Sequence, residues 1–315
     1  MKTKITSDFP FESKFLKVYG AKLHYIDENN QKNTPQTTFV LLHGNPSSNY
    51  LWRNIVPELA KQGRVVAPDL IGFGKSDKPK IDYKVLTHER YIEEFINILQ
   101  LDNIVFVLHD WGTALGLAFA RKNENRVKGV AFMEGVIKPK KWDFGKAGTR
   151  LIFRLFRTPF IGQWMIINNN FFVEKILLHM GTKRELSAKE REYYAAPFLS
   201  KSSRKPVYVF PNEIPINKKP RDVYEMVKSN HDWLSKTSIP KLLLWVKPGV
   251  LIKPWHVIQM QESYPNLHTE YLGISSKGFL KESHYVQEDF PTEIAAAISK
   301  WFRTTHFKPV APSSP

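Results

Sequence analysis

The chain has 315 residues, room for one large domain or a domain with an insertion, and its 42% hydrophobic and 13% aromatic content is ample for a core. Lys+Arg number 46 against 30 Asp+Glu, a formal net charge of +16, yet Lys138, Lys140, Lys141, Lys201, Lys205, Lys218 and Lys219 are scattered and not interleaved with stacking aromatics, which argues against a nucleic-acid partner. There is no cysteine, which excludes disulfides, thiolate catalysis and Cys-ligated metal.

In chain order, Met1 to Phe15 is charged and holds no apolar run of signal-peptide length. No stretch approaches the ~20 apolar residues that span a bilayer. The expectation is a cytoplasmic protein with no membrane contact. Phe15 to Tyr19 and Lys22 to Ile26 read as two antiparallel strands, and Asp27 to Thr37 as a polar loop. Thr38 to Leu42 is an apolar strand ending in His43-Gly44-Asn45-Pro46, where glycine lets the backbone approach a ligand. Leu51 to Gln62 reads as an amphipathic helix and Arg64 to Pro68 as a short strand. The loop Asp69 to Ser76 carries glycines but lacks the phosphate-loop spacing. His88 to Leu99 is a further helix.

Ile104 to Leu108 is then an apolar strand of the kind buried on both faces. It turns at His109-Asp110-Trp111-Gly112 and continues with small residues at helical spacing, Thr113 to Ala120. A strand that turns sharply into a helix with a nucleophile at the turn is the elbow of the α/β-hydrolase plan, here with Asp110 at the nucleophile position. Helix N–H groups there favour an ionised carboxylate. Such a carboxylate attacks carbon and forms an alkyl ester, so its electrophile is an sp³ carbon bearing a leaving group. Taken alone, Asp110 reads first as a helix N-cap, and the rest of the chain has to overturn that reading.

Val127 to Phe132 is the next strand, followed by Met133-Glu134. From 138 to 217 the composition turns aromatic and basic. Helical patterns at Lys146–Phe156, Phe160–His179 and Ala188–Phe198 are followed by Pro206, Pro211 and Pro215, which break up the end of the stretch. This reads as a helical cap inserted between two parts of one core, 1–137 and 218–303. The core resumes with the helix Asp222–Leu234, the strand Lys241–Val246, the helix Val257–Tyr264, the strand Thr269–Leu272 and a closing helix Ile294–Phe302. Residues 304–315 are expected to be a disordered tail. Alternating strands and helices argue a mostly parallel sheet covered on both faces. Ligands in such sheets lie beyond the C-terminal strand ends, where Asn45, Asp110 and Glu134 fall, with His284 after the last strand.

The motifs His43 to Pro46 with Tyr50 to Arg53, Asp69 to Gly72, His109 to Gly116 and Phe132 to Glu134 resemble those of the haloalkane dehalogenases. So do Asn170 to Glu174, Phe210 to Pro215, Pro248 to Ile252 and His284 to Asp289, and the resemblance covers roughly residues 10 to 303. It implies an α/β-hydrolase fold with a triad of Asp110, His284 and Glu134, in the subfamily whose acid follows this strand. It further implies a halide site made by the Asn45 amide and the Trp111 indole, and an oxyanion hole of their backbone N–H groups. Phe153, Phe156, Phe172, Ile176, Met180, Phe210, Pro211, Ile214, Val250 and Leu251 match pocket or tunnel positions, with Ile176 and Met180 bulky enough to narrow the entrance. No metal, organic cofactor or oxygen is implied. The partners are a small apolar halogenated substrate and halide, and the chain is a monomer or weak homo-oligomer. Activity is expected to fall as His284 protonates near pH ~6.5.

The chain departs from the family in the segment from Gly273 to Ser283, longer by about half a dozen residues, in Ser283 itself, and in Lys140 to Gly148, which aligns poorly. Three other functions share parts of the pattern. Coelenterazine luciferase-like monooxygenases share the fold and the Asp, Glu, His and Asn-Trp set. Epoxide hydrolases also use an Asp nucleophile, but have an aromatic residue where Asn45 stands and need cap tyrosines, for which the one adjacent pair in the cap, Tyr193-Tyr194, reads as lying on a solvated helix face. A non-catalytic binding protein of the same fold is the third.

Overall fold

The computed structural model describes residues 5–30, 37–142, 146–274, 282–305 and 307. Its centre is an eight-stranded sheet: β1 (Lys14–Val18), β2 (Ala21–Glu28), β3 (Thr38–Leu42), β4 (Arg64–Pro68), β5 (Ile104–Asp110), β6 (Val127–Gly135), β7 (Lys241–Lys247) and β8 (Leu267–Ile274). The spatial order is β1-β2-β4-β3-β5-β6-β7-β8. β1 and β2 form the antiparallel edge, and every pairing from β4 to β8 is parallel. Every residue of β3 and of β5 is buried, because helices cover both faces of a parallel sheet. Phe106, Leu108 and Val130 point into one apolar layer, and Val105, Val107 and Ala131 into the other.

Parallel strands send all their C-terminal ends to one edge. The tips of β3, β5, β6, β7 and β8 therefore deliver residues 43–46, Asp110, Glu134, 248–252 and 282–285 to one place. Helices α1 (Val85–Ile98), α2 (Trp111–Lys122), α7 (Arg221–Leu234), α8 (Pro254–Ser263) and α9 (Pro291–Thr304) flank the sheet. Between β6 and α7 run α3 (Ala147–Arg157), the π-helical α4 (Phe172–Met180), α5 (Ala188–Ala195) and α6 (Lys205–Glu213). This stretch leaves and rejoins the core at one point: Lys140 N–H donates to Pro215 O, and Asn217 N–H to Lys140 O.

Several local expectations are corrected. Leu51–Gln62 is not one helix but a 3-10 turn, Asn49–Trp52, and a single α turn, Val56–Leu59. Pro57 has no N–H and fits only in the first turn of a helix. The pattern Phe160–His179 is split at Asn169 and Asn170, the latter at φ 51°. The prolines at the end of the insertion do not abolish helix: α6 begins with Pro206 in its first turn and contains Pro211. Tyr194 is buried, not solvated, and Tyr193 stacks on Tyr50 at 3.9 Å. Phe307, placed by sequence in the tail, packs edge-on against Trp301. Residues 306 and 308–315, and 275–281 of the long segment before His284, lie outside the described residues.

Candidate active site

Asp110 ends β5 and stands at the N-cap of α2 with φ 50° and ψ −124°, a conformation that costs free energy for any residue with a side chain. It makes no N-cap bond to the second or third N–H of the helix, so ordinary capping does not account for it. Its Oδ2 instead accepts the Asn45 N–H at 2.8 Å, and the Trp111 N–H also bonds the carboxylate. Close approach requires Gly44: a Cβ there would lie 2.2 Å from Asp110 Oδ2. Burial raises the Asp110 pKa, opposed by the His284 charge and by the N–H bonds from Asn45 and Trp111. Desolvation outweighs the N–H groups in the direction of this shift, while the N–H groups act as the elbow implied, favouring the ionised form.

His284 faces two carboxylates. Its Nε2 lies 3.6 Å from Asp110 Oδ1, and its Nδ1 3.4 Å from Glu134 Oε2. Burial works against the imidazolium, but the Glu134 hydrogen bond and the charges of Asp110 and Glu134 outweigh it, so the pKa is raised above its ordinary 6.5. Behind it, His109 Nε2–H donates to the His284 carbonyl at 2.9 Å. Burial and the neighbouring His284 push the His109 pKa far down, leaving a neutral spacer. Ser283 is anchored as well: its N–H donates to Pro248 O and its hydroxyl to Asp289 Oδ2 at 2.8 Å. The backbone is thus tied on the residue immediately before the imidazole.

Glu134 is almost fully buried at φ 42°. Its oxygens accept three successive backbone N–H groups, from Val250 (2.8 Å), Leu251 (2.9 Å) and Ile252 (3.2 Å). Gly249 is required for this nest, since a Cβ there would meet Glu134 Oε1 at 2.2 Å.

A cavity of about 70 Å³ opens over Asp110, Asn45, Trp111 and His284. Phe153, Phe156, Phe172, Ile176, Met180, Pro211, Ile214, Val250 and Leu251 line it. Phe210 does not. It is fully buried behind the wall, stacked on Trp111 (5.5 Å, 20°) and on His88 (4.6 Å, 24°), so it sets the indole plane. Thr149, Ile152, Gly181, Glu282 and Tyr285 also line the cavity and were not anticipated. The Tyr285 hydroxyl donates to Asn45 O at 3.0 Å, fixing the loop that carries the amide.

Pro211 explains the Asn45 side chain. Lacking an N–H, it leaves the Val207 carbonyl one turn back without its helical partner. Asn45 Nδ2 donates to that carbonyl at 3.4 Å, and Asn45 Oδ1 is buried with no partner. The amide is thus only weakly engaged by the protein. Tyr193 and Tyr194 do not reach the cavity, since the Tyr194 hydroxyl is spent on Glu288.

The sheet order, the strand-elbow-helix and the buried carboxylate at the elbow define an α/β hydrolase, and residues 37–209 match the family model described as the alpha/beta hydrolase fold. Among curated proteins, a haloalkane dehalogenase of Mesorhizobium japonicum is 40% identical over 266 residues, 84% of each chain. A haloalkane dehalogenase of Sphingobium indicum is 38% identical over 301 residues, covering 93% of this chain and 96% of that one. The crystal structure of the haloalkane dehalogenase DbeA from Bradyrhizobium elkani superimposes with a TM-score of 0.86 at 35% identity, over 93% of this chain and 98% of that one. The chain belongs to the haloalkane dehalogenase family.

Proposed function

We propose that this chain hydrolyses haloalkanes to alcohol, halide and proton, with Asp110 as nucleophile, His284 as base and Glu134 as the acid that holds the base. The observation that carries this reading is the placement of the His284 imidazole between Asp110 and Glu134 at the floor of an apolar cavity. Asp110 Oδ1, the oxygen facing the imidazole, attacks the halogen-bearing carbon from behind. The carbon–halogen bond breaks and the halide leaves with the bonding pair. Asn45 and Trp111 receive it: one amide hydrogen of Asn45 is not taken by Val207, and the indole N–H is a neutral donor that lets the anion depart later.

The alkyl ester keeps Oδ2 under the Asn45 N–H, and with the Trp111 N–H that also bonds this carboxyl group it stabilises the oxyanion when water attacks the ester carbon. His284 takes the water's proton, the alcohol leaves and Asp110 is regenerated. Alkylation also removes the Asp110 charge, one of the interactions that raises the His284 pKa. Alkylation therefore lowers the His284 pKa at the step that needs a neutral base.

We further propose that 138–217 acts as a cap on a core of 1–137 and 218–303, supported by the pairing of Lys140 with residues 215–217. No helix among the described residues is long and apolar enough to cross a membrane. A monomer or weak homo-oligomer suffices, since all five functional side chains come from one chain. The experiment is turnover of 1-bromobutane or 1,2-dibromoethane followed by halide release. Halide release by wild type supports the reading, and its absence with both substrates contradicts it.

A further inference from the structure

We propose that Glu282 and Thr149 form an acceptor-only subsite in one wall of the cavity, selecting haloalkanes that carry a hydrogen-bond donor, a hydroxyl or amine, on the chain end away from the halogen. This rests on the dehalogenase reading above and narrows its substrate class. The cavity is otherwise walled mainly by Phe, Ile, Leu, Val, Met and Pro. A carboxylate there has a desolvation cost, and it is held by two donors. The Thr149 hydroxyl, on cap helix α3, donates to Glu282 Oε2 at 2.8 Å, and Lys253 Nζ donates to Oε1 at 2.6 Å. Both Glu282 (3% exposed) and Thr149 (4%) line the cavity, whereas Lys253 does not.

The count of lone pairs sets the selectivity. A carboxylate offers about four acceptor sites, and Thr149 and Lys253 use two. Thr149 has spent its one hydroxyl hydrogen on Glu282, so its own oxygen also presents only lone pairs to the cavity. What remains is acceptors with no donor. A hydroxyl or ammonium finds a partner, while an ether oxygen faces lone pairs and is rejected. A site built for a donor discriminates against analogues that lack one more strongly than an apolar wall discriminates by size. Glu282 stands two residues before His284 and binds the cap through Thr149, so a substrate end held here also engages the segment that carries the base.

The test is kcat/KM for pairs of equal size, 3-bromopropan-1-ol against 1-bromobutane and 6-bromohexan-1-ol against 1-bromoheptane, with 1-bromo-3-methoxypropane against 1-bromopentane as the acceptor-only control. In wild type at least one alcohol matches or exceeds its alkane, and the ether falls about tenfold below its alkane. Glu282→Met, of similar length and without acceptors, lowers the alcohol-to-alkane ratio about tenfold. Both alcohols falling tenfold below their alkanes in wild type, or a ratio unmoved within about twofold by Glu282→Met, overturns the subsite. Should Glu282→Met fail to fold, the wild-type alcohol and ether series decides alone. Halide release from 1-bromobutane with an unmoved ratio removes only this inference. No halide release from any substrate removes the dehalogenase reading and this inference with it.

Discussion

His284 Nδ1 lies 3.4 Å from a Glu134 carboxylate whose oxygens are already occupied by three backbone N–H groups of residues 250–252. The nest holds the acid still, and the acid in turn orients the imidazole. Glu134→Gln deletes the charge and, with its oxygen in the Oε2 position, keeps an acceptor for the Val250 and Leu251 N–H groups, while its NH2 replaces the acceptor of the weaker Ile252 N–H bond. The variant is expected to fold, to lose about 10²–10⁴ in the ester-hydrolysis step, and to show a lowered His284 pKa. Single-turnover halide and alcohol measurements with imidazole NMR check this; an unchanged titration of His284 contradicts it.

The His284 pKa, raised by the Glu134 hydrogen bond and by the charges of Asp110 and Glu134 against the opposing effect of burial, gives a pH prediction with a definite sign. In the free enzyme the imidazole is therefore expected to hold its proton to higher pH than an ordinary histidine. In the alkyl-enzyme the Asp110 charge is gone, so the acid limb of ester hydrolysis lies at lower pH than the NMR midpoint of the free enzyme. Asp110→Asn, which removes the same charge, lowers that midpoint. An acid limb above the free-enzyme midpoint contradicts the arrangement.

Gly44→Ala tests the closeness of the β3 loop to the nucleophile. The new Cβ would sit 2.2 Å from Asp110 Oδ2, so either the carboxylate or the Asn45 N–H must move. A displacement of about 1 Å at a reacting group costs on the order of 10²-fold in rate. Far-UV circular dichroism should stay native while turnover falls. Near-normal turnover would mean the loop yields at no cost.

Much of this centre was legible in the chain because the chemistry lies where local pattern changes. The apolar run of β5, the small residues of α2 and Asp110 between them announce the elbow, and chain order alone promotes His284. The Glu134 nest left no trace, because its donors are backbone N–H groups of Val250, Leu251 and Ile252 whose side chains only look apolar. The Thr149–Glu282–Lys253 cluster was invisible for another reason: its bonds join residues 133 and 29 positions apart, and pairs at such separations have no period. Pro211 was read as a helix breaker by its local rule. In the fold, its missing N–H frees the Val207 carbonyl for Asn45, a tertiary use that no local rule anticipates. Phe210 was assigned to the pocket by position, and one residue of helical rotation puts it behind Trp111 instead.

A buried ionic cluster joins cap to core away from the cavity. Arg53 donates to Glu190 Oε1 (2.6 Å) and to both oxygens of Glu288 (2.6 and 2.8 Å), and Arg184 bonds the same two carboxylates. Removing Arg53 leaves Glu288 buried with too little compensating charge, so Arg53→Met should cost about 3–5 kcal/mol in urea unfolding. Burial opposes the Glu190 charge, but the hydrogen bonds from Arg184 and Ser187 outweigh it and hold its pKa down at about 2. A depressed folded pKa contributes stability above the ordinary value of 4.5, lost as pH falls from there toward 2. The stability difference between wild type and Glu190→Gln should therefore narrow below pH 4.5; a difference that widens there contradicts the assignment.

The covalent role of Asp110 is tested most directly by mass spectrometry of His284→Phe after exposure to 1-bromobutane. With the base gone, the account predicts one equivalent of bromide released per chain and one butyl group retained on the peptide containing Asp110, absent in Asp110→Asn/His284→Phe. Continued turnover by His284→Phe at the wild-type rate, or a butyl group carried on any other residue, would contradict it.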